Sequence, residues 1–199
     1  KRQLPTKVII ATDAFGFADE AVREALQPMV ERLAHVVGET REDLLAPQGL
    51  SVWARAQRVL QPSEAWATFK GWVERDNPRL AFQVARNLAN ASMITDTERN
   101  WAGLMREEAR ARLRHLIPPG TVLCMPTTPA PAPLKNRPMR ELDFLRDRIT
   151  CLAAHGGLTG HPQLSIPAGE VDGAPVGLSI VGARDHDMAL VALAQALEA

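Results

Sequence analysis

The chain has 199 residues, of which 46% are hydrophobic and 23% are charged, values typical of a soluble globular domain with a substantial core. Lys plus Arg equals Asp plus Glu at 23 each, which argues against a polyanionic partner such as nucleic acid or an acidic membrane surface. No apolar run approaches the roughly 20 residues of a membrane helix. Cys124 and Cys151 lack the spacing of a zinc or redox site, so we expect reduced thiols in a cytoplasmic protein.

The first 37 residues predict a strand followed by a helix. Residues 7–13 form a short run of apolar, β-branched character that ends in a polar turn with Gly16, which is typical of a buried strand. Asp19 can cap the helix predicted over 20–37. The residues that we expect on its buried face recur at three- and four-residue steps: Ala21, Ala25, Met29, Leu33 and Val36.

The middle of the chain, residues 50–116, is helical in character because its apolar residues recur without alternation. The break at Asp76-Asn77-Pro78 divides it, since the residue before a proline disfavours the helical conformation. Residues 79–115 predict either one long helix or two abutting helices. The charged segment 106–112 is interpreted as a solvated helix face rather than as a nucleic-acid patch.

The last third predicts three strands and two helices. Residues 122–126 form a buried strand, and the segment 127–133 that follows is an extended, proline-stiffened loop of the kind that lines ligand sites in α/β folds. A charged helix is predicted over 138–154, and the glycines after it indicate a loop over 155–162.

A hairpin and a terminal helix complete the chain. The runs 163–167 and 175–182 are strand-like, and Asp172-Gly173 between them favours a hairpin turn. An amphipathic helix is predicted over 187–197. We therefore predict an α/β fold in which helices flank a mixed sheet, with residues such as Leu123, Leu164 and Leu178 in its strands.

Three kinds of reactive site find little support. His155 and His161 flank the glycine-rich segment but have no third metal ligand nearby, and that segment leads into a strand rather than opening a phosphate-binding helix. Cys151 lies four residues before His155, yet a helix ending at the glycines would separate them, so a buried structural thiol is favoured. The five serines lack a glycine-flanked elbow and an adjacent base; two of them, Ser165 and Ser179, lie in strand-like runs.

Three segments in order resemble the amidase signature family. VLCMPTTPAPAP at 122–133 is similar to the family's strand and proline loop beside the substrate channel, LTGHPQLSIPAG at 158–169 to its "LTG-P-SIP-G" segment, and DGAPVGLSIVG at 172–182 to its "DG-PVGL-IVG" ending. Residues 149–160 and 162–167 resemble the plant-type amidase that hydrolyses indole-3-acetamide. Other members have asparagine where Gly157 stands.

The resemblance implies that the catalytic residues lie outside this chain. Family members use two serines and a lysine in a glycine- and serine-rich N-terminal half, whereas this sequence has no Ser-Ser, Gly-Ser or Ser-Gly pair and begins at Lys1. We therefore expect residues 1–199 to be the C-terminal half of an amidase signature domain, with no catalytic residue, metal or cofactor. The substrate-binding residues that it implies are Thr127, Thr128, Gly156 and Gly157.

The function that follows is the C-terminal portion of a cytoplasmic hydrolase that cleaves a carboxamide to a carboxylate and ammonia. Its expected partners are a small amide substrate, the N-terminal half of the same protein and a second copy in a homo-oligomer. Two alternatives stay open: a non-catalytic binding or scaffold module, and an amidotransferase-like subunit that passes ammonia to another active site.

Overall fold

The computed structural model describes residues 4–198, which form five strands and seven helices. The strands are β1 Lys7–Ala11, β2 Glu39–Asp43, β3 Thr121–Pro126, β4 Gln163–Val171 and β5 Ala174–Gly182. The helices are α1 Thr12–Phe17, α2 Glu20–Val37, α3 Leu50–Asp76, α4 Phe82–Ser92, α5 Asp96–Leu116, α6 Met139–Thr159 and α7 Asp187–Glu198. No helix within this range is long and apolar enough to cross a membrane.

The strands form one mixed sheet in the order β2-β1-β3-β5-β4, which confirms the predicted α/β class. β1 pairs in parallel with β2 and β3, whereas β5 is antiparallel to both β3 and β4. The predicted hairpin is confirmed, with Asp172 at φ 50° and Gly173 at φ 76° in its turn. All seven apolar residues expected in strands lie in this sheet: Leu123, Met125, Leu164, Ile166, Val176, Leu178 and Ile180.

Two hydrophobic cores lie on opposite faces of the sheet. Because side chains alternate along a strand, Val122 and Cys124 of β3 join the core under α2 and α7, while Leu123 and Met125 join the core under α3, α5 and α6. The second layer of helices does not extend over the β4–β5 hairpin, where Ser165 is exposed. One face of the hairpin is therefore open.

The chain leaves β1 earlier than predicted. The strand ends at Ala11, and the expected turn around Gly16 is the short helix α1. The Asp13 carboxylate accepts hydrogen bonds from the backbone N–H groups of Ala14, Leu45 and Ala46, at 3.0, 2.8 and 2.8 Å. These bonds hold the start of α1 against the segment that follows β2. Strand β2 lies at the edge of the sheet and was not predicted from the sequence.

Helix α2 has the predicted bounds, and its buried face overlaps the predicted one. The fully buried residues are Val22, Leu26, Val30, Leu33 and Val37. Of the predicted residues, Leu33 is buried, Ala25, Met29 and Val36 are partly buried against the same core, and Ala21 is exposed. Asp19 occupies the cap position without a side-chain cap bond; its carboxylate instead accepts from Arg148 at 2.7 Å. Packing on the sheet therefore sets the orientation of the helix.

The middle region consists of three helices. α3 ends at Asp76, as the proline break predicted, with Asn77 in the left-handed conformation. Residues 79–115 contain two helices rather than one, because Thr95 and Glu98 form a reciprocal capping box that starts α5. Several apolar side chains of this region project into solvent, among them Phe69, Trp72 and Phe82.

Helix α6 runs further than the glycines indicated. It continues through Gly156 and Gly157 to Thr159, and Gly160 ends it at φ 69°. The predicted loop over 155–162 is therefore wrong in its first half. Leu152 and Leu158 are buried on the same helix, so their packing compensates for the low helix propensity of glycine.

The longer helix places His155 in the protein core, where its side chain is 1% exposed. Its Nδ1 lies 2.9 Å from the carbonyl oxygen of Leu152 and so carries the proton in the neutral ring. Its Nε2 has no hydrogen-bond partner within residues 4–198. Burial lowers the pKa of His155 to about 4.

Two glycine substitutions test the packing of α2 on β4. A Cβ at Gly169 would lie 2.3 Å from the carbonyl oxygen of Ala25, so we expect Gly169→Ala to lower the free energy of unfolding by about 3 kcal/mol. The control is Gly103→Ala in α5, where no atom lies within 4 Å of a new Cβ, and it should raise stability by about 0.5–1 kcal/mol. Urea denaturation measures both; equal effects would contradict the packing.

The His155 environment predicts acid sensitivity. Because its pKa is about 4 in the folded chain and near 6.5 when unfolded, its contribution to stability is complete above pH 6.5 and is lost as the pH falls toward 4. We expect a loss of about 2 kcal/mol at pH 5 relative to pH 7.5 from this group, and His155→Gln should remove that part of the dependence.

Denaturation midpoints at pH 7.5 and pH 5 make this comparison. Cys151→Ala, one turn earlier on α6, should keep the wild-type dependence because a thiol is uncharged across this range. The pKa of His161 is also lowered, chiefly by burial, so some dependence should remain in the His155 variant. An unchanged pH dependence in His155→Gln would contradict the burial of a neutral ring.

Candidate functional site

The open face of the β4–β5 hairpin forms one wall of a cleft, which we call the hydroxyl cleft. The proline loop, residues 127–133, and helix α6 form its other walls. A cavity of about 270 Å³ lies in it, and its lining combines hydroxyl groups with apolar side chains. The residues that matter for its chemistry are Thr127, Thr128, Ser165, Gly177, Pro131, Leu145 and Ile149.

Three hydroxyl groups meet at the base of the cleft. Ser165 and Ser179 lie opposite each other in the β4–β5 register, and Thr127 follows the end of β3. The Thr127 Oγ1 atom lies 2.8 Å from the Oγ atoms of both serines. The two serines therefore make the cross-strand contact expected of strand residues, with the threonine hydroxyl as a bridge.

The hydroxyl group of Ser179 has a second partner. The Nε2 group of Gln163 donates to Ser179 Oγ at 2.7 Å. Ser179 is fully buried, whereas Gln163 and Ser165 are exposed. A continuous chain of hydrogen bonds thus runs from Gln163 through the buried serine to the exposed one.

The proline loop is held on both sides of the cleft. The backbone N–H of Thr127 donates to the carbonyl oxygen of Gly177 at 2.9 Å, and that of Asp19 donates to the carbonyl oxygen of Pro129 at 2.8 Å. The Thr128 hydroxyl donates to the carbonyl oxygen of Ala130 at 2.8 Å, so Thr128 lines the cavity while its hydroxyl shapes the loop. These bonds fix the position of Thr127.

The four residues expected to bind substrate divide into two pairs. Thr127 and Thr128 both line the cavity. Gly156 lies on α6 beside the hydrogen-bonded chain, because a Cβ there would be 4.0 Å from Gln163 Oε1. Gly157 faces α3 instead, where a Cβ would come within 2.2 Å of Gln57 Nε2.

The sequence reading missed the contributions of Gln163, Ser165, Gly177 and Ser179 to this site. A signal was present, since Gln163 and Ser165 are two residues apart in one strand, as are Gly177 and Ser179 in the next, and so each pair shares a face. The cavity lining contains no ionisable side chain among the residues that the structure describes. The cleft therefore suits an uncharged ligand that forms hydrogen bonds.

The cysteines and histidines do not form a second reactive centre. Cys151 and His155 share α6, contrary to expectation, but Cys151 is half-buried and burial raises its thiol pKa. Burial raises the pKa of Cys124 to about 12. His161 Nδ1 lies 3.0 Å from Thr159 Oγ1, and residues 4–198 contain no group of three or more potential ligands that could hold a metal ion.

Neither serine nor cysteine is paired with a base in the described chain. No serine or cysteine side chain within residues 4–198 is hydrogen-bonded to a lysine, a histidine or a carboxylate; Ser63 and Ser92, for example, donate to carbonyl oxygens of their own helices. Nucleophilic catalysis requires such a base within hydrogen-bond reach. The hydroxyl cleft can bind and orient a ligand, but it contains no activated nucleophile of its own.

The described residues also form larger cavities, and two of these lie away from this cleft. One of about 570 Å³ is formed by the segment before β1, the start of β3 and the start of α7, and one of about 720 Å³ lies between α3, α4 and α6. Neither brings together linked hydroxyl groups on a rigid sheet. Their volumes alone do not make them better candidates.

Comparison with known proteins identifies the family. A family model described as "Amidase" matches residues 25–191. "Amidase 1" of Arabidopsis thaliana is 24% identical over 224 residues, which cover 98% of this chain and 53% of the relative. "Amidase 1" of Oryza sativa subsp. japonica is 29% identical over 159 residues, which cover 79% of this chain and 37% of the relative.

A solved structure gives the same result. The crystal structure of an amidase matches with a TM-score of 0.75 and 26% identity, over 98% of this chain and 46% of that chain. The chain thus spans from about a third to about half of the length of its relatives. With a family model that matches most of its length and this agreement in fold, the chain belongs to the amidase signature family.

Proposed function

We propose that this chain builds the substrate-side wall of an amide hydrolase, and that the nucleophile, its base and the oxyanion donors lie on polypeptide outside residues 1–199. The observation that carries the proposal is the hydroxyl cleft: an uncharged cavity with linked hydroxyl groups, on a sheet face that lacks a serine–base pair. A wall of this kind binds and orients a neutral amide without performing the chemistry.

The reaction is hydrolysis of a carboxamide. A serine on the other half attacks the carbonyl carbon, ammonia leaves, and water then cleaves the acyl-enzyme to release the carboxylate. In this scheme Thr127 and Thr128 line the substrate-side wall, Gly156 lies beside it on α6, and the apolar side chains of Leu145 and Ile149 contact the acyl group. Positioning of this kind lowers the barrier by holding the carbonyl group in a reactive geometry.

The surface of the chain supports a large protein partner. Strand β4 pairs only with β5 within the described residues, so its outer edge has unpaired backbone groups over nine residues. Large apolar side chains are exposed on the same molecule, including Phe82 at 75% and Phe144 at 66%. Because the relatives are about twice as long, the partner that we propose is the other half of the amidase fold.

The proposed substrates are primary amides with an aromatic or apolar acyl group, such as indole-3-acetamide. The similarity to the two plant proteins named "Amidase 1" and the apolar lining beside the hydroxyl groups support this class. Cys124 and Cys151 are both free thiols, which supports a cytoplasmic location.

Complementation tests the proposed function. The 199-residue chain alone should release no ammonia from indole-3-acetamide or simple aryl amides, because removal of the nucleophile system costs several orders of magnitude in rate. The coding sequence upstream of residue 1 should encode a lysine followed by a glycine-flanked serine pair. Addition of that segment, as one chain or as two, should restore ammonia release.

Substitution of the upstream serine pair by alanine is the control, and it should abolish the restored activity. Turnover by the 199-residue chain alone that is lost in Cys151→Ala or Ser165→Ala would contradict the proposal. Such a result would identify a catalytic centre within this chain.

A further inference from the structure

We propose that Ser165 contacts the substrate directly and that Gln163, Ser179 and Thr127 are positioning residues that orient its hydroxyl as a hydrogen-bond donor. The ligand that this group would bind is an uncharged acceptor, and, on the proposed function, that acceptor is the oxygen of the substrate carboxamide. The inference depends on the order of donors and acceptors along the hydrogen-bonded chain.

The order begins at Gln163. Its Nε2 group can only donate, so the bond of 2.7 Å to Ser179 uses the serine oxygen as acceptor. Ser179 is 0% exposed, and the other partner of its hydroxyl within residues 4–198 is Thr127 Oγ1 at 2.8 Å. The Ser179 proton therefore points to Thr127, since a buried hydroxyl group is stable only when it is hydrogen-bonded.

The same reasoning identifies the donor in the next hydrogen bond, between Thr127 and Ser165. Thr127 accepts from Ser179 and so donates its own proton to Ser165 Oγ at 2.8 Å. Ser165 accepts that bond and is exposed, which leaves its proton free to point into the cavity. Each bond polarises the next, so the last hydroxyl is a stronger donor than an isolated serine.

Gln163 points into the space next to Gly156. Its Nε2 group faces Ser179, and its Oε1 atom faces the end of α6, where a Cβ at Gly156 would lie 4.0 Å away. The amide therefore lies between the helix and the sheet. Gly156, which we expected to bind substrate, has no side chain and so leaves space for the Gln163 amide. That amide sets the donor–acceptor order of the hydrogen bonds.

Gly177 gives independent support. A Cβ at this position would lie 2.9 Å from Ser165 Oγ and 3.0 Å from Thr127 Oγ1. Gly177 is not among the residues with positive φ, so its backbone conformation does not require glycine. The absence of a side chain therefore keeps open the space around the two hydroxyl groups at the cavity.

The cavity also determines the charge of the acceptor. Its described lining has hydroxyl and apolar groups but no cationic side chain to compensate an anion. A carboxylate that leaves water for this cleft loses hydration without gaining a counter-charge, whereas a carboxamide oxygen pays a smaller cost. The site should therefore prefer the amide substrate over the carboxylate product.

The test measures binding to the 199-residue chain by NMR titration with three probes that are not hydrolysed by it. N,N-dimethylphenylacetamide is an acceptor without an N–H group, phenylacetate is the charged analogue, and indole is a donor without a lone-pair acceptor. The wild-type chain should bind the dimethylamide most tightly. Ser165→Ala should weaken that binding about five- to tenfold.

The decisive variant is one that reverses the direction of the hydrogen bonds between residue 163 and Ser165. In Gln163→Glu the group beside Ser179 becomes an acceptor at neutral pH, so the hydroxyl protons turn toward residue 163 and Ser165 presents lone pairs to the cleft. This variant should lose the preference for the dimethylamide and gain affinity for indole. Gln61→Glu on the exposed side of α3 makes the same charge change outside the cleft and should retain the wild-type preference.

Substitutions of Thr127 test the hydrogen-bonded bridge that its hydroxyl forms between Ser179 and Ser165, without a change of charge. Thr127→Val keeps the shape of the side chain but removes the hydroxyl, so affinity for the dimethylamide should fall; Thr127→Ser should retain it. The NMR spectrum of each variant reports whether the chain is folded. An effect on fold alone would weaken binding of all three probes equally, and that result would overturn the proposal.

The wild-type chain must also bind. No binding of the dimethylamide up to its solubility limit, or an unchanged preference in Gln163→Glu, would overturn the proposed orientation. Because these measurements need neither turnover nor the other half of the fold, they are independent of the complementation experiment. Failure of complementation with intact probe selectivity would reject amide hydrolysis but not the donor role of Ser165.

Discussion

Strand β3 connects the structural and the functional parts of this chain. Each of its six residues is buried, and it joins the parallel strands on one side to the antiparallel hairpin on the other. Its alternating side chains enter both hydrophobic cores, so β3 cannot shift without disturbing the two layers at once. Thr127 follows directly after this strand. The fully buried strand therefore holds the position of the Thr127 hydroxyl in the hydroxyl cleft.

The sequence predicted the parts of the fold that depend on local apolar patterns. The runs of β3 and β5 are apolar because both strands are largely buried. The Asp172-Gly173 turn indicates that β4 and β5 form a hairpin. Strand β2 has the sequence ETRED and lies at the sheet edge, so it has no apolar pattern to detect. Its place is set by parallel pairing with β1, which is a tertiary interaction.

The site was less predictable than the fold because long-range pairing assembles it. Thr127 is separated by 38 residues from Ser165 and by 52 from Ser179, yet its hydroxyl contacts both. The end of α6 shows the same limit: glycines that suggest a loop remain helical because residues around them are buried. Local propensity is a weak guide wherever core packing stabilises the alternative.

Two ion pairs outside the cavity lining have structural roles. Asp43 at the end of β2 accepts from Arg112 of α5 at 2.7 Å, and that bond is the main reason why the pKa of Asp43 is lowered. Arg148 of α6 likewise bonds Asp19 at 2.7 Å, which connects α6 to the start of α2. One contact connects a helix to the sheet and the other connects two helices, while the described lining of the cleft contains no ionisable side chain.

The same open face serves binding and assembly in the function that we propose. The second helical layer stops before the β4–β5 hairpin, so the Ser165 hydroxyl and the β4 edge that is unpaired within the described residues are exposed together. A polypeptide that extends the sheet at β4 would cover the cleft and exclude water from it. Exclusion of water strengthens each hydrogen bond to the substrate, because the bonds then act in a lower dielectric. Assembly of the fold and tight positioning of the amide would therefore occur in one step.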